Sequence, residues 1–255
     1  MRAFHTYWDL LFYKALADLR SEARRYYIAY LWWVIEPVLE MLVFYLVFAG
    51  LLKRGGPNFV QFLLVGLVVW KWFEITVKHC GFAIINSSGL IRQVAIPKIL
   101  FPLVVILTDT FKAMFAFGVV FLFLLVSGFG PSKAYAALPL LFVVQSLIIA
   151  AVGCLFAAIT PFFPDFMLIV SHILRLIFYL SGIFYDPIKI PEPHRSLFFL
   201  NPLARLVSDY RRVLIEGLWP DPLPLIILGL LSLLVFLLVF RFMGRYETIY
   251  PRIVR

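Results

Sequence analysis

Ionisable side chains inside long apolar runs are the residues of this sequence with the greatest capacity for chemistry. Glu36 and Glu40 lie four residues apart around Pro37, so both carboxylates fall on one face of a helix. Placing a charge inside a bilayer is costly, and such residues therefore indicate a functional or a pairing role. The other residues of this kind are Lys71, Glu74, Lys78, Asp109, Lys112 and Arg175.

Two explanations remain open for these charges. They can line a passage for a hydrated substrate, or they can pair with each other and fix the packing of helices. The spacing favours pairing for Glu74 with Lys78, and likewise for Asp109 and the lysine three residues later. Glu36 and Glu40 have no adjacent cation, so neither explanation is favoured there. The candidate channel-lining residues are Trp33, Glu36, Glu40, Tyr45, Arg175 and Tyr179.

No spacing that is typical of a catalytic or cofactor site occurs in the sequence. It contains no nucleotide-binding G-x-x-x-x-G-K-[ST], no H-E-x-x-H zinc motif and no G-x-S-x-G nucleophile motif. The four histidines are far apart, which favours packing or interface positions over metal ligation. We therefore expect no catalytic, cofactor-binding or metal-binding residue in this chain. A partner subunit would bind any ATP and Mg²⁺ that the protein uses.

The composition of the 255-residue chain is that of an all-α integral membrane protein. Hydrophobic residues make up 63%, charged residues only 15%, and the mean hydropathy is +0.97. The net charge of +9 comes without a basic and aromatic cluster of the kind that binds nucleic acid. Anionic lipid headgroups explain this charge better. Cys80 and Cys154 both fall inside apolar runs, so we expect them to pack rather than to form a disulfide.

Apolar periodicity divides the chain into an interface helix and a transmembrane domain. Residues 1–25 repeat apolar side chains at helical period beside charged ones, which predicts an amphipathic helix in the membrane interface. Residues 26–255 form the transmembrane domain. Each predicted span is long enough for a hydrocarbon core of about 30 Å. The six spans are 32–52, 59–82, 99–126, 136–160, 167–184 and 223–243.

The distribution of lysine and arginine predicts the orientation of these spans. Basic residues cluster before the first span, between the second and third, and after the sixth. The short loops on the other side hold only Lys53, Arg54 and Lys133. By the positive-inside rule, we expect both termini to be cytoplasmic in a multi-pass membrane protein.

A short break in the apolar sequence, residues 84–98, predicts a surface helix on the cytoplasmic side. It opens with polar residues that favour helix N-caps, repeats apolar residues at helical spacing and stops at Pro97. The segment can be a plain connector, or a coupling helix whose apolar face is covered by a separate motor subunit and not by its own chain. The candidate coupling residues are Asn86, Ser87, Gly89, Leu90, Ile91 and Arg92.

The long loop between the fifth and sixth predicted spans carries two helical segments that are too short to cross a bilayer. Asn201 and Pro202 are typical of a helix start, and Gly217 stands where a helix end favours a left-handed residue. The segments predict a re-entrant external hairpin that holds Arg211 or Arg212 at depth, or alternatively an ordinary surface helix. The candidate external-gate residues are Asn201, Pro202, Tyr210 and Arg211.

A set of short motifs occurs in this chain in a definite order. It comprises Asp18-Leu19-Arg20, Tyr30-Leu31-Trp32, Pro37, Gly66, Trp70-Lys71-Trp72-Phe73, Asn86, Leu90-Ile91, Pro97-Lys98, Pro102, Ser181-Gly182-Ile183-Phe184-Tyr185, Asn201-Pro202, Tyr210-Arg211 and Gly217. Over residues 14–245 these motifs resemble the membrane (permease) subunits of polysaccharide-exporting ABC transporters, most of all the channel subunit for lipid-linked O-antigen. The chain departs from the family pattern at Gly182, where many relatives carry proline, and at Gln93, where lysine is common.

The resemblance implies a homodimer that encloses a channel and binds two cytoplasmic ATP-binding subunits. The substrate would be an undecaprenyl-linked polysaccharide, exported by ATP hydrolysis in the partner. A drug or lipid exporter of the same superfamily and a membrane enzyme acting on lipid-linked sugars are the alternatives. The enzyme would need clustered acid and base residues on a water-facing loop, and the loops show none with suitable spacing.

Single cysteine substitutions test the predicted orientation. Lys133→Cys and Glu192→Cys should react with a membrane-impermeant thiol reagent in intact cells, because both positions are predicted to face outside. Gly89→Cys should react only after the cells are permeabilised. The unsubstituted chain, with Cys80 and Cys154, gives the background. Labelling of Gly89→Cys in intact cells would reverse the orientation.

Overall fold

The computed structural model describes residues 2–25, 29–51, 58–94 and 96–253, and no strand occurs among them. The fold is all-α, as predicted. The helices in chain order are α1 (Arg2–Arg25), α2 (Ala29–Tyr45, continued by a π-helix Leu46–Leu51), α3 (Phe59–Asn86), α4 (Ser88–Gln93), α5 (Leu100–Val126), α6 (Leu138–Ile159, after a 3-10 turn Lys133–Ala137), α7 (Phe166–Leu180), α8 (Glu192–Phe198, after a 3-10 turn Pro187–Lys189), α9 (Pro202–Arg211, continued by a π-helix Arg212–Glu216), α10 (Pro222–Arg245) and α11 (Tyr250–Ile253).

Four of the described helices are long and apolar enough to cross a membrane, namely α3, α5, α6 with its preceding turn, and α10. They correspond to the predicted spans 59–82, 99–126, 136–160 and 223–243. The predicted span 167–184 matches the shorter α7, which has 15 residues. The predicted span 32–52 matches α2 and its π-helix, Ala29–Tyr45 and Leu46–Leu51, which are not among those four. A perpendicular crossing needs about 20 residues. The spans 32–52 and 167–184 therefore remain predictions.

The backbone after α7 explains why that helix is short. Ser181 is its C-cap, and Gly182 follows with a φ of +68°. Glycine adopts this left-handed conformation without strain, and it ends a helix. The helix thus stops before residue 184, where the predicted span ends.

α3 is the central helix of the bundle. It packs against α2, α5, α6, α7 and α9, as expected for a helix that is apolar on most of its faces. The ring of Trp72 packs on Phe117 of α5 and Phe142 of α6, with centroids 6.0 and 5.4 Å away. Nε2 of Gln145, on α6, donates a hydrogen bond to Val69 O at 2.9 Å, and this buried bond fixes the register of α6 against α3.

Two different substructures lie at opposite ends of α3. α3 begins beside α9 and ends in the turn that leads to α4. We call residues 181–221 the hairpin end. We call residues 84–94, 96–99, 160–165 and 246–253 the α4 end.

α1 lies against the bundle through one apolar stripe. Leu11, Ala15 and Leu19 repeat every four residues and are buried, whereas Leu16 on the other face is 48% exposed. This one-sided burial agrees with the predicted amphipathic character, while the location of α1 in a membrane interface stays a prediction. Leu11 and Ala15 of this stripe pack against Ile96, Leu100 and Val104.

A matched pair of leucine substitutions tests the attachment of α1. Leu19→Gln places an amide in the buried stripe and should detach the helix, so that trypsin cleaves after Arg20 faster by roughly tenfold or more. Leu16→Gln makes the same chemical change on the exposed face and should leave the rate unchanged. Limited proteolysis of the detergent-solubilised protein measures both rates. Equal cleavage of the two variants would contradict the packing of α1.

Candidate functional sites

α4 follows α3 after one residue and presents a polar edge at the α4 end. That residue, Ser87, is the N-cap of α4, but its side chain makes no capping hydrogen bond, unlike the expectation from its type. Asn86, Gly89 and Arg92 are exposed, and Ser87 is half-buried. These predicted coupling residues are therefore accessible from outside the bundle.

The apolar face of α4 is buried in its own chain, and the expectation that only a partner would cover it is wrong. Ile91 is 4% exposed and belongs to a cluster with Ile84 and Ile99. Leu90 is half-buried against the same cluster. The sequence did not indicate this contact because some of the covering residues are distant along the chain, among them Tyr250. What α4 offers a partner is its polar edge.

The hairpin end is built from α8 and α9, which meet at Asn201. Asn201 Oδ1 accepts from Leu203 N at 3.0 Å, and Nδ2 donates to Ser181 Oγ at 3.0 Å. One side chain thus caps α9 and ties it to the end of α7. Pro202 is the first residue of α9 and Gly217 has a φ of +68° after the π-helix, both as predicted.

Arg211 is a buried cation held by backbone carbonyls. It is 4% exposed, and its Nε donates to Phe62 O at 3.0 Å, Nη1 to Gly182 O at 2.7 Å and Nη2 to Ile183 O at 2.9 Å. The guanidinium also lies over the Phe62 ring, 3.3 Å from its centroid. Burial lowers the pKa of Arg211 to about 9, so it remains charged at neutral pH. This one cation connects α9, α3 and the segment after α7.

Two neighbouring residues fix the position of Arg211. Gly66 leaves the space for the guanidinium, because a Cβ atom there would collide with Arg211 Nη2. Tyr210 is fully buried and packs on Phe117 and Phe142, with ring centroids 5.5 and 6.0 Å away. The sequence singled out Tyr210 as a candidate gate residue. It gave no sign of the role of Gly66, since that role depends on a residue far along the chain.

Ion pairs cover the outer face of α9. Arg205 Nη2 and Arg212 Nη1 lie 2.9 and 3.1 Å from Asp221 Oδ2, and Arg205 Nε lies 3.1 Å from Asp209 Oδ2. Burial raises the pKa of Asp209 to about 6, although Arg205 counteracts the shift. Of the two adjacent arginines, Arg211 is therefore the buried one and Arg212 lies on the outer face, while a position of Arg211 at membrane depth stays a prediction. The burial of Asp209 was not apparent from the sequence.

Several of the charges within the apolar runs converge on a cavity of about 370 Å³ between α1, α2, α3 and α5. Lys71 Nζ lies 3.4 Å from Glu36 Oε1, although the two are distant in sequence. Lys112 Nζ lies 2.5 Å from Glu22 Oε2 of α1 and 3.4 Å from Asp109 Oδ1. The predicted pairing of Asp109 with Lys112 is thus present, and α1 contributes a carboxylate to it.

α3 carries two more pairs near this cavity. Lys78 Nζ lies 2.6 Å from Glu74 Oε1, as predicted, and Trp70 Nε1 donates to Glu74 Oε2 at 2.8 Å. His79 Nδ1 lies 2.7 Å from Asp109 Oδ2. The sequence favoured a packing or interface position over metal ligation for this histidine, and the structure places it in the ion-pair network. Pairing, rather than a line of unpaired charges, is what the structure shows for these residues.

The remaining channel-lining candidates lie on the outer surface of the chain. Arg175 is exposed midway along α7, Tyr179 one turn later is 56% exposed, and Tyr45 at the end of α2 is 39% exposed. Arg175 has no ion-pair or hydrogen-bond partner within residues 2–25, 29–51, 58–94 and 96–253. The side chains of Trp33 and Glu40 lie outside the part of the chain that the structure describes.

A family model described as ABC-2 type transporter matches residues 15–215, which is most of the chain. The chain belongs to the ABC-2 type transporter family. The matched region includes both α4 and the greater part of the hairpin end. Permeases of this family are membrane proteins that work with ATP-binding subunits. This ABC-2 permease is therefore a multi-pass membrane protein.

Several curated relatives match this permease over most of their length. An O-antigen export system permease protein RfbA of Klebsiella pneumoniae is 28% identical over 82% of this chain and 81% of its own. One of Myxococcus xanthus is 29% identical over 92% and 91%. The polysialic acid transport protein KpsM of Escherichia coli is 22% identical over 79% and 80%. All three are transport proteins, which is consistent with a non-enzymatic membrane subunit.

Conservative substitutions test the carbonyl-bound arginine. In this permease Arg211→Lys keeps the charge but cannot bond three carbonyls in different directions, so we expect a loss of about 2–4 kcal/mol in stability. Arg212→Lys alters only an exposed pair and should cost less than about 1 kcal/mol. Thermal unfolding in detergent compares the two variants. Similar melting temperatures for both would show that the three carbonyl bonds contribute little.

Proposed function

We propose that this permease is the channel-forming transmembrane subunit of an ABC transporter that exports an undecaprenyl-linked, O-antigen-like polysaccharide across the bacterial inner membrane. The family supports an ABC permease, and the names of the relatives support a polysaccharide substrate. A partner subunit binds ATP and Mg²⁺ and drives transport by hydrolysis. Both termini of the permease lie in the cytoplasm in this proposal.

The exposed Arg175 on α7 is the observation that supports the proposal of a channel. An arginine that faces lipid near the middle of a bilayer costs about 2.5–3.5 kcal/mol on insertion scales. The rest of α7 is largely apolar, so nothing else on this helix offsets that cost. The cost disappears if this side of α7 faces a water-filled passage. Tyr179 lies on the same side, four residues later, and adds an aromatic ring with a polar edge.

A passage along the outer surface of one chain needs a second chain to close it. We therefore propose a homodimer in which the exposed sides of α7 and of the end of α2 from both copies surround one channel. Tyr45 and Tyr179 would then supply aromatic surfaces to the same lumen. Rings with hydroxyl edges suit sugars, whose C–H faces are apolar and whose rims are polar.

Coupling to ATP hydrolysis takes place at the α4 end in this proposal. The exposed edge with Asn86, Gly89 and Arg92 is the surface that docks on the ATP-binding subunit, and two such subunits bind the dimer. Leu90 and Ile91 do not contact the ATP-binding subunit in this proposal, because they hold α4 on the bundle. A push on the polar edge is thereby transmitted to the bundle through the packed apolar face.

The hairpin end forms the external gate. Tyr210 and Arg211 fix α9 to the bundle, so α9 is the stationary part. α8 has no buried residue, and it is held beside α7 through Asn201 and through Phe198, which lies against Gly182. We therefore assign the opening movement to α8, with Asn201 as the pivot.

Export by the permease together with its ATP-binding subunit tests the proposed function. Surface polysaccharide should appear only when both subunits are present, and Arg175→Leu should lower it by about tenfold or more because the channel loses its cation. Lys189→Ala removes an exposed charge away from α7 and should have no effect. Membrane abundance of each variant is measured in parallel. Full export by Arg175→Leu would contradict the channel, and ATP-driven transport of a drug or phospholipid without polysaccharide export would favour the alternative exporter.

A further inference from the structure

The C-terminal segment folds back onto the α4 end after α10. α11 packs against α4, and Tyr250 at the start of α11 is fully buried. Tyr250 Oη donates to Ala158 O of α6 at 3.2 Å. The Tyr250 ring packs edge-on against Phe162 in the α6–α7 turn, with centroids 5.6 Å apart. One side chain therefore contacts the end of α6 and the turn that follows it.

The same side chain belongs to the core on which α4 rests. This core is separate from the larger cluster around α3, and Tyr250 is its largest fully buried side chain. It brings together the end of α3, α4, the start of α5, the end of α6 and the C-terminal segment. The members that matter here are Ile84, Ile91, Ile99, Ala157, Ala158 and Tyr250.

α4 cannot keep its orientation without that core. It has only six residues, and isolated helices shorter than about 12–15 residues are marginal in water. Its backbone leaves the helix at Val94, which is extended. The direction in which the polar edge points is therefore set by the packing beneath Ile91.

We propose that Tyr250 is a positioning residue for coupling: through it the C-terminal segment sets the orientation of α4 and joins the movement of α4 to α6 and α10. The link to α10 is covalent, since residues 246–249 connect α10 directly to Tyr250, and α10 packs along α6. The inference rests on the proposed function, because the coupled process is ATP-driven export. Tyr250 touches no substrate and acts only through α4.

The first part of the proposal, that Tyr250 sets the orientation of α4, is tested by hydrogen–deuterium exchange of the permease in complex with its ATP-binding subunit. Tyr250→Phe removes only the bond to Ala158 O, and exchange at residues 88–94 should rise by about threefold to tenfold. Tyr250→Ala also removes the ring, and exchange should rise further both there and at residues 158–163. Exchange at the hairpin end should stay unchanged. Tyr13 is 75% exposed on α1, so Tyr13→Phe and Tyr13→Ala are the matched controls.

The second part of the proposal, that Tyr250 couples ATP hydrolysis to export, is tested by measuring ATP hydrolysis and surface polysaccharide on the same variants. The Tyr250 variants should keep ATP turnover within about twofold while export falls severalfold, and the Phe variant should be the milder. If Tyr250→Ala does not fold, Tyr250→Phe decides alone. Unchanged exchange at residues 88–94 would overturn the proposal, and so would raised exchange with an unchanged ratio of export to hydrolysis. Absence of export by the unsubstituted complex would instead refute the proposed function, and the exchange result would still show whether Tyr250 orients α4.

Discussion

Buried polar groups have little water to bond, so most of them find a partner inside the protein. This requirement accounts for much of the structure. The hydroxyls of Thr76, Thr108 and Ser232 each donate to the carbonyl four residues earlier in their own helices. Charges meet across helices, as Lys112 and Glu22 do. Arg211 has no carboxylate within bonding distance among the described residues and uses three carbonyls instead, and this is why α9 is fastened to α3.

Local patterns predicted where many of the helices lie. Runs of apolar residues predicted four of the spans, and the apolar period predicted α1 over its whole length. Asn201 and Gly217 marked the ends of the α9 segment, because capping depends on neighbours in the chain. Pairing was predictable for Glu74 with Lys78, since one helix brings them together.

Contacts between distant segments were not predictable from the same patterns. Glu36 looked unpaired because its partner Lys71 lies on another helix. α4 looked as if it needed a partner subunit to cover Ile91, yet the covering residues include Tyr250 at the other end of the sequence. Gly66 was one of the motif residues, yet nothing in the sequence linked it to Arg211. Such features follow from how the helices pack, and periodicity in one helix says nothing about the identity of its neighbour.

Gly182, which departs from the pattern that the resemblance implies, bears on the whole hairpin end. Gly182 has a φ of +68°. Proline cannot adopt this conformation, because its ring holds φ near −65°. A Cβ there would also lie 2.8 Å from Phe198 Cζ of α8. The carbonyl of the same residue accepts from Arg211 Nη1 at 2.7 Å. The turn that ends α7, the closeness of α8 and the anchoring of α9 thus depend on one glycine. A chain with proline at this position must direct that carbonyl differently, so the base of its hairpin cannot be held in the same way.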